Sequence, residues 1–275
     1  MIKEAEKTSK KYKKTLDKIV WSFSTISLYE DCPRAFFIKK IEGIIGDTNA
    51  AAEIGSYGHD LNERLFKQRI SAQEALDECV YEFDDHVTEY ISETNKSKKY
   101  MALCEYLSEF DESLFDRFDV LEVEEKHVWM VGERKFVGIV DLLLQEKATG
   151  KVYLIDHKSA SHFLKKDGSP LKNTESSFRK YSKQMYLYAD AIHQKHGRYP
   201  DYIVWNHFLD KGKTTVIPFE EKGVKEATDW VVDTINRIYK DTDFLPMQDY
   251  VRCNLLCDYR NGLCEFKELG KEGEE

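Results

Sequence analysis

The sequence predicts an α/β fold in which helices flank a central β-sheet. Two observations carry this prediction. Between Val120 and Asp156 the chain is rich in apolar and β-branched residues interrupted by glycine turns, which is typical of strands. On both sides of that stretch, apolar residues recur at spacings of three and four, which is typical of amphipathic helices. The 275 residues are enough to bury a substantial core.

The N-terminal third is expected to be helical after a short polar arm. Residues 1–20 are lysine-rich and predict a flexible basic arm or a frayed helix. Ser24 offers an N-cap for a helix that enters the core, and a second helix is expected near Pro33, because proline is tolerated in a first turn. The apolar spacing over residues 50–118 then predicts a helical lobe.

The strands come next along the chain. Two apolar runs, at residues 136–144 and 152–158, are separated by a turn that contains Gly150, which predicts an antiparallel hairpin. A helix, two strands and a final helix follow, at residues 176–196, 202–209, 214–219 and 225–239.

The predicted domain organisation is simple. Residues 21–265 are expected to form one domain, composed of the helical lobe, a core over residues 119–220 and a C-terminal helix with a cysteine-rich segment over residues 221–265. Residues 266–275 are acidic and are expected to be disordered.

Composition limits the location and the partners of the chain. No apolar run approaches the roughly 18 residues that span a bilayer, and the N-terminus lacks the apolar stretch of a secretory signal. We therefore expect a soluble, cytoplasmic protein without a membrane partner. The net charge of −9 argues against a surface covered with nucleic-acid contacts but allows a local basic groove.

The strand pair carries the chemistry. Asp141 and Asp156 each lie in one of the two apolar runs of the predicted hairpin. Two carboxylates brought together in this way repel unless a cation joins them, and hard oxygen ligands favour magnesium or manganese. Lys158 follows Asp156 by two residues, so the alternation of a strand places both side chains on one face. The lysine can then reach a water bound to the metal.

With these residues, the chain resembles the PD-(D/E)XK nuclease superfamily, and within it the RecB-like branch of AddB-type and CRISPR-associated nucleases. Four motifs occur in that family's order: G-x-x-x-H at Gly55–His59, G-x-x-D at Gly138–Asp141, D-x-K at Asp156–Lys158 and Q-x-x-x-Y at Gln184–Tyr188. Each motif alone is weak, but four in sequence are specific. The resemblance implies a restriction-endonuclease-like core with a mixed β-sheet.

The resemblance also implies roles for individual residues. The metal ligands would be supplied by a histidine, three acids and a backbone carbonyl, namely His59, Asp141, Asp156, Glu124 and the carbonyl of His157. Glu122 and Glu125 are close enough to leave the choice of Glu124 open. Lys158 would orient or help to deprotonate the attacking water, and Gln184 and Tyr188 would position substrate or Lys158. They lie four residues apart and so on one helix face.

Four of the six cysteines predict a second metal site. Cys79 and Cys104 fall on apolar helix faces and are interpreted as core residues. The others are one N-terminal cysteine and a compact C-terminal group, namely Cys32, Cys253, Cys257 and Cys264. In RecB-like nucleases such a set holds a 4Fe-4S cluster that acts as a staple. Here both C-terminal gaps are one residue longer than the family's C-x2-C-x5-C, and a tetrathiolate zinc site or four thiols without metal remain the alternatives.

These observations favour a magnesium- or manganese-dependent deoxyribonuclease that acts as an exonuclease on single strands or duplex ends. The first alternative is a catalytically inactive nucleic-acid-binding subunit of a recombination or CRISPR-type defence complex, with protein partners. The second is a thiolate-metal interaction module, which leaves the strand acids unexplained. Phage, DNA repair and recombination settings all remain open.

Overall fold

A computed structural model of the chain describes residues 11–247, 249 and 252–266. The described residues fall into two compact units. The first comprises the described residues that fall within Met1–Thr48, Val128–Val137 and Thr228–Glu275, and the second those within Asn49–His127 and Gly138–Ala227. Both units are discontinuous in sequence, so their boundaries do not follow the predicted segments. The single domain expected over residues 21–265 stays a prediction.

A five-stranded mixed β-sheet organises the fold, as expected from the alternating apolar runs. The strands occur in the sheet in chain order, and β2–β3 and β4–β5 pair antiparallel whereas β3–β4 pair parallel. The strands are β1 Phe118–Val131, β2 Arg134–Glu146, β3 Val152–Lys158, β4 Tyr202–His207 and β5 Lys213–Pro218. The predicted hairpin around Gly150 is confirmed, and Gly150 adopts a left-handed φ of 71° that favours glycine.

Helices surround this sheet and give the restriction-endonuclease-like α/β fold. Helix α8 connects β3 to β4 and packs on β3, which is what a parallel strand pair requires. The helices are α1 (residues 11–16), α2 Phe23–Asp31, α3 Pro33–Phe36, α4 Ala50–Phe66, α5 Ala72–His86, α6 Glu93–Ser108, α7 Leu114–Arg117, α8 Glu175–His196 and α9 Glu221–Lys240. Two π-helical segments, Phe37–Ile41 and Arg252–Leu256, complete the set.

One detail of the N-terminal region refines the sequence analysis and a second corrects it. The predicted flexible arm contains helix α1, and its Leu16 is only 2% exposed, so an apolar side chain anchors this part of the arm. The first long helix is capped by Ser22 rather than Ser24, because the Ser22 side chain accepts a hydrogen bond from the Thr25 backbone N–H. The start of a helix at Pro33 is confirmed.

The core of the first unit contains the aromatic residues that precede and follow the sheet in sequence. Tyr29, Phe36 and Phe37 surround Phe244, with ring centroids 5.2 to 6.3 Å from it. Tyr29 and Phe36 are buried. These rings therefore pack a core.

The core of the second unit joins the helical lobe to the sheet. Helices α4, α5 and α6 pack around buried Leu61, Cys79 and Leu103, and Phe208 joins this cluster from the end of β4. No helix among the described residues is long and apolar enough to cross a bilayer.

Candidate metal centre and active site

The register of the β2–β3 pair brings the two predicted acids together. Leu142 pairs with Ile155, so the next residues along the antiparallel strands, Asp141 and Asp156, lie opposite one another. Asp141 is 8% exposed and Asp156 is 1% exposed. The backbone N–H of His157 donates to Asp141 Oδ2 at 2.8 Å and so fixes the carboxylate.

His59 and Glu124 approach the same carboxylate from two other elements. His59 Nδ1 lies 3.5 Å from Asp141 Oδ2 and 3.6 Å from Glu124 Oε1. One donor atom from each of these three residues lies within 4.8 Å of the other two. Helix α4 therefore delivers the histidine of the G-x-x-x-H motif to the acids of the sheet.

A local irregularity of β1 aims Glu124 at this site. Glu124 has a φ of 49°, which is uncommon for a residue other than glycine, and the buried positions of β1 change from even numbers up to Glu122 to odd numbers from His127 onward. A β-bulge has this signature, because one extra residue reverses the alternation of faces.

The three neighbouring acids of β1 have different contacts. Glu122 contacts His127, Lys195 and His196, and the exposed Glu125 contacts only Lys195 among these groups. Only Glu124 of the three acids faces His59, which favours the choice left open by the sequence.

Lys158 lies against Asp156, as the alternation of a strand predicts. Its Nζ is 2.9 Å from Asp156 Oδ1 and 2.7 Å from Oδ2. Gln184 Oε1 lies 3.4 Å from the same nitrogen, while Gln184 Nε2 donates to Asp156 Oδ1 at 3.2 Å and to the Tyr188 hydroxyl at 3.3 Å. Helix α8 thus places Gln184 and Tyr188 on one face, in contact with the acid and lysine pair.

The charges of the site perturb its titratable groups. Burial raises the pKa of Asp141 to about 7, the negative charge of Asp156 adds to the rise, and His59 and Lys158 oppose it. Burial alone would lower the pKa of Lys158, but Asp156 and Asp141 outweigh it and raise the pKa of the ammonium. The pKa of His59 is likewise raised, because contact with Glu124 and the charge of Asp141 outweigh burial. The site therefore concentrates negative charge that a cation would relieve.

The donor set fits a hard divalent cation. Carboxylate oxygens and an imidazole nitrogen are ligands that manganese accepts, and magnesium takes the oxygens. Asp156 Oδ2 is buried and accepts no hydrogen bond, its one contact among the described residues being the Lys158 ion pair. The His157 side chain turns away to Asn206, so only its carbonyl remains as the predicted ligand.

The four predicted cysteines of the second site line one pocket of the first unit. Cys32, Cys253, Cys257 and Cys264 are free thiols that surround this pocket together with Ala35, Ile38, Pro246, Tyr259, Arg260 and Phe266. Two thiol sulfurs receive backbone N–H groups at 3.5 Å, Cys32 from Met247 and Cys257 from Tyr259. Amide donors aimed at sulfur stabilise thiolates and so suit metal ligands.

The first of the two longer cysteine gaps has a structural explanation. Arg252–Leu256 is π-helical, and the Cys257 N–H donates to the Arg252 carbonyl at 2.8 Å across five residues. A π-turn accommodates one inserted residue within a helical turn. The longer spacing between Cys253 and Cys257 is therefore compatible with both thiols lining one pocket.

The spacing of the four thiols can be compared with that of a zinc site. Tetrahedral zinc with Zn–S bonds of about 2.3 Å places its sulfurs roughly 3.8 Å apart. Within the described part of the chain, no three of the cysteine sulfurs lie within 4.8 Å of one another.

Comparison with known proteins agrees with this geometry. A scan against protein families matches residues 20–268 to the PD-(D/E)XK nuclease superfamily. Among solved structures, the chain is similar to a protein from Eubacterium rectale named as a putative exonuclease, with a TM-score of 0.52 and 17% identity over 90% of this chain and 89% of that chain. No curated protein matches the chain. Because the family match spans nearly the whole chain, the protein belongs to the PD-(D/E)XK nuclease superfamily.

Proposed function

We propose that this chain is a magnesium- or manganese-dependent deoxyribonuclease of the RecB-like branch. The observation that carries the proposal is the convergence of Asp141, Asp156 and Lys158 with His59 and Glu124. A bound divalent cation would lower the pKa of a water and stabilise charge on the phosphodiester undergoing attack.

The chain's own residues have separable roles in this proposal. Asp141, Asp156, Glu124 and His59, with the carbonyl of His157, would hold the cation. Lys158 would hold the attacking water by its ammonium, because Asp156 fixes that group beside the acids at 2.7 Å. Gln184 and Tyr188 would position Lys158 and Asp156 through the hydrogen bonds described above.

The test is cleavage of labelled single-stranded and blunt duplex DNA by purified protein with Mg²⁺ or Mn²⁺. We expect Asp141→Asn and Lys158→Ala each to reduce the rate on the order of 100-fold or more. Glu124→Gln should also lose activity, whereas Glu125→Gln, the same change one residue away on the exposed face of β1, should not. Equal rates for wild type, Asp141→Asn and Lys158→Ala would contradict the proposal.

The mode of attack is also a proposal. The name of the Eubacterium rectale protein makes exonuclease action the first expectation, and DNA with both ends blocked tests it. Resistance of the blocked substrate supports end-directed digestion, and cleavage within it contradicts that mode. DNA binding without cleavage would favour the inactive subunit of a recombination or CRISPR-type complex.

We further propose that Cys32, Cys253, Cys257 and Cys264 hold a 4Fe-4S cluster with a structural role. The common pocket of the four thiols supports this proposal. Anaerobic purification followed by visible absorbance and metal analysis tests it. We expect iron and sulfide in wild type and in Cys104→Ser, and their loss in Cys257→Ser. Colourless protein with one zinc per chain would favour the zinc alternative.

A further inference from the structure

An aromatic ring outside the four motifs contacts the Lys158 ammonium. Tyr181 lies on α8 three residues before Gln184 and seven before Tyr188, so the three side chains share one helix face. The Lys158 Nζ lies over the Tyr181 ring, 4.4 Å from its centroid. This distance is within the range in which the negative face of an aromatic ring attracts a cation.

The Tyr181 ring also packs against a buried aromatic ring. Tyr181 stacks on Phe163 with centroids 5.9 Å apart and planes 24° from parallel. Phe163 is fully buried and packs edge-on against Trp205 and His207 of β4. The Tyr181 ring therefore packs against the core of the second unit, and this packing fixes its orientation.

The Tyr181 ring attracts the Lys158 ammonium without adding a negative charge to the site. The Lys158 side chain is only 15% exposed, and its other close contacts are the Asp156 carboxylate and the long 3.4 Å contact with Gln184. A lysine stem is flexible, so one carboxylate alone does not fix the direction of its ammonium. Another acid would add repulsion to a site that already holds Asp141, Asp156 and Glu124, whereas an aromatic face attracts the cation without it.

We propose that Tyr181 is a positioning residue for Lys158, acting through the face of its ring. The Tyr181 hydroxyl makes no hydrogen bond to any described residue, so the ring carries the interaction and phenylalanine should replace tyrosine. The catalytic consequence rests on the proposed function of Lys158. The contact between ring and ammonium does not.

The contact between Tyr181 and Lys158 can be measured by NMR on metal-free protein, and this measurement does not depend on nuclease activity. In protein labelled with ¹³C-lysine, the ring current of Tyr181 should shift the ε-methylene protons of Lys158 upfield of those of lysines that contact no ring, and Lys11 and Lys151, which also lie over tyrosine rings, are assigned separately. Lys158→Arg assigns the resonance by removing it. We expect the shift to persist in Tyr181→Phe and to vanish in Tyr181→Leu. A Lys158 resonance at an ordinary lysine position in wild type would overturn the contact.

Kinetics on DNA then test the positioning role. We expect kcat to fall about 10-fold in Tyr181→Leu with KM changed less than about twofold, and Tyr181→Phe to stay within about twofold of wild type. Tyr186→Leu makes the same change on α8 beside Phe219 and should have no effect on kcat. In a Lys158→Ala background, Tyr181→Leu should cause no further loss.

The outcomes distinguish failure of the positioning role of Tyr181 from failure of the proposed nuclease function. A loss in Tyr181→Phe as large as in Tyr181→Leu, or an equal loss without Lys158, would overturn positioning through the ring. Absence of cleavage by wild type would instead contradict the proposed nuclease function. The lysine resonance would then decide the ring contact alone, supporting it if shifted and overturning it if not.

Discussion

Two glycines of α4 illustrate how differently neighbouring residues are constrained. A Cβ on Gly58 would lie 2.3 Å from Cε2 of Phe208, a fully buried ring at the end of β4. A Cβ on Gly55 would meet only Ser159 Oγ, at 3.8 Å, which is an ordinary contact. Glycine is therefore required at position 58 because α4 lies close to the Phe208 ring, whereas the second unit itself leaves room for a side chain at Gly55.

We predict opposite effects of alanine at these two positions. Gly58→Ala should destabilise the protein by about 1 to 3 kcal/mol, because Phe208 must move within a packed core. Gly55→Ala should raise the free energy of unfolding by about 0.5 to 1 kcal/mol, because alanine is the better helix former. Urea unfolding of metal-free protein measures both, and equal effects of the two substitutions would contradict this view of α4.

His207 is a buried histidine with both ring nitrogens satisfied in its neutral form. Nδ1 donates to the Ala160 carbonyl at 3.0 Å, and Nε2 lies 3.0 Å from the Thr215 hydroxyl. Burial lowers the pKa of His207 to about 4, against the opposing effect of the Ala160 carbonyl. The folded state therefore resists protonation that the unfolded chain accepts near pH 6.5.

This depressed pKa predicts a pH dependence of stability. The contribution of neutral His207 is fully present above about pH 6.5 and is lost as pH falls toward 4, because the unfolded state then binds the extra proton. The difference of about 2.5 pH units corresponds to about 3 kcal/mol. In urea unfolding between pH 7 and 4, His207→Gln should lose less stability than wild type. An equal loss in both proteins would count against this assignment.

At the scale of elements, a chain of hydrogen bonds connects β3 and β4 with the helical lobe. Asn206 Nδ2 lies 2.9 Å from His157 Nδ1 and donates to the Tyr106 hydroxyl at 3.0 Å. That hydroxyl donates to Asn62 Oδ1 at 2.5 Å, and Asn62 Nδ2 donates to the Gly58 carbonyl at 2.7 Å. The network is buried and joins α4, which carries His59, to the strand that carries Asp156.

Removal of one hydroxyl should reveal the strength of this connection. Tyr106→Phe leaves Asn62 Oδ1 buried without its donor, so we expect a loss of about 1 to 3 kcal/mol in the free energy of unfolding. Tyr81→Phe makes the same change at a residue that is 83% exposed and should be neutral. Matching stabilities of the two variants in urea would show that the network contributes little.

Element boundaries were largely predictable, whereas deviations from regular geometry were not. The hairpin around Gly150 and the helix over Glu175–His196 follow from apolar periodicity, which local sequence encodes directly. The bulge at Glu124 has no such signal, because a glutamate with positive φ looks like any other glutamate in a sequence. The choice among three neighbouring acids therefore depended on the structure.

At the scale of the whole molecule, motif residues were predictable and long-range assembly was not. The resemblance of the four motifs to the family's pattern predicted that His59, Asp141, Asp156, Lys158 and Gln184 come together, and the structure places them in one unit. The composition of the first unit from three separate segments has no local signature, since it depends on contacts between residues far apart in sequence. Tyr181 was missed for the same reason, although its place three residues before Gln184 was visible.

Loss of the proposed cluster should affect the two units unequally. Cys32 and the three C-terminal cysteines all belong to the first unit, so removing their metal should weaken that unit first. We expect hydrogen exchange after iron chelation to rise in α2 and α3 and to change little in α4 and β3. Uniform acceleration throughout all four elements would contradict a staple confined to the first unit.

The four thiols also impose an order on biosynthesis. Cys32 leaves the ribosome 232 residues before Cys264. At about 5 to 20 residues per second, the interval lasts roughly 10 to 50 s. During that time the second unit can be translated in full while the first still lacks its closing segment. Assembly of the proposed 4Fe-4S cluster would therefore follow the emergence of Cys264, and a nascent chain stalled before Cys253 would hold Cys32 without its three proposed partner ligands.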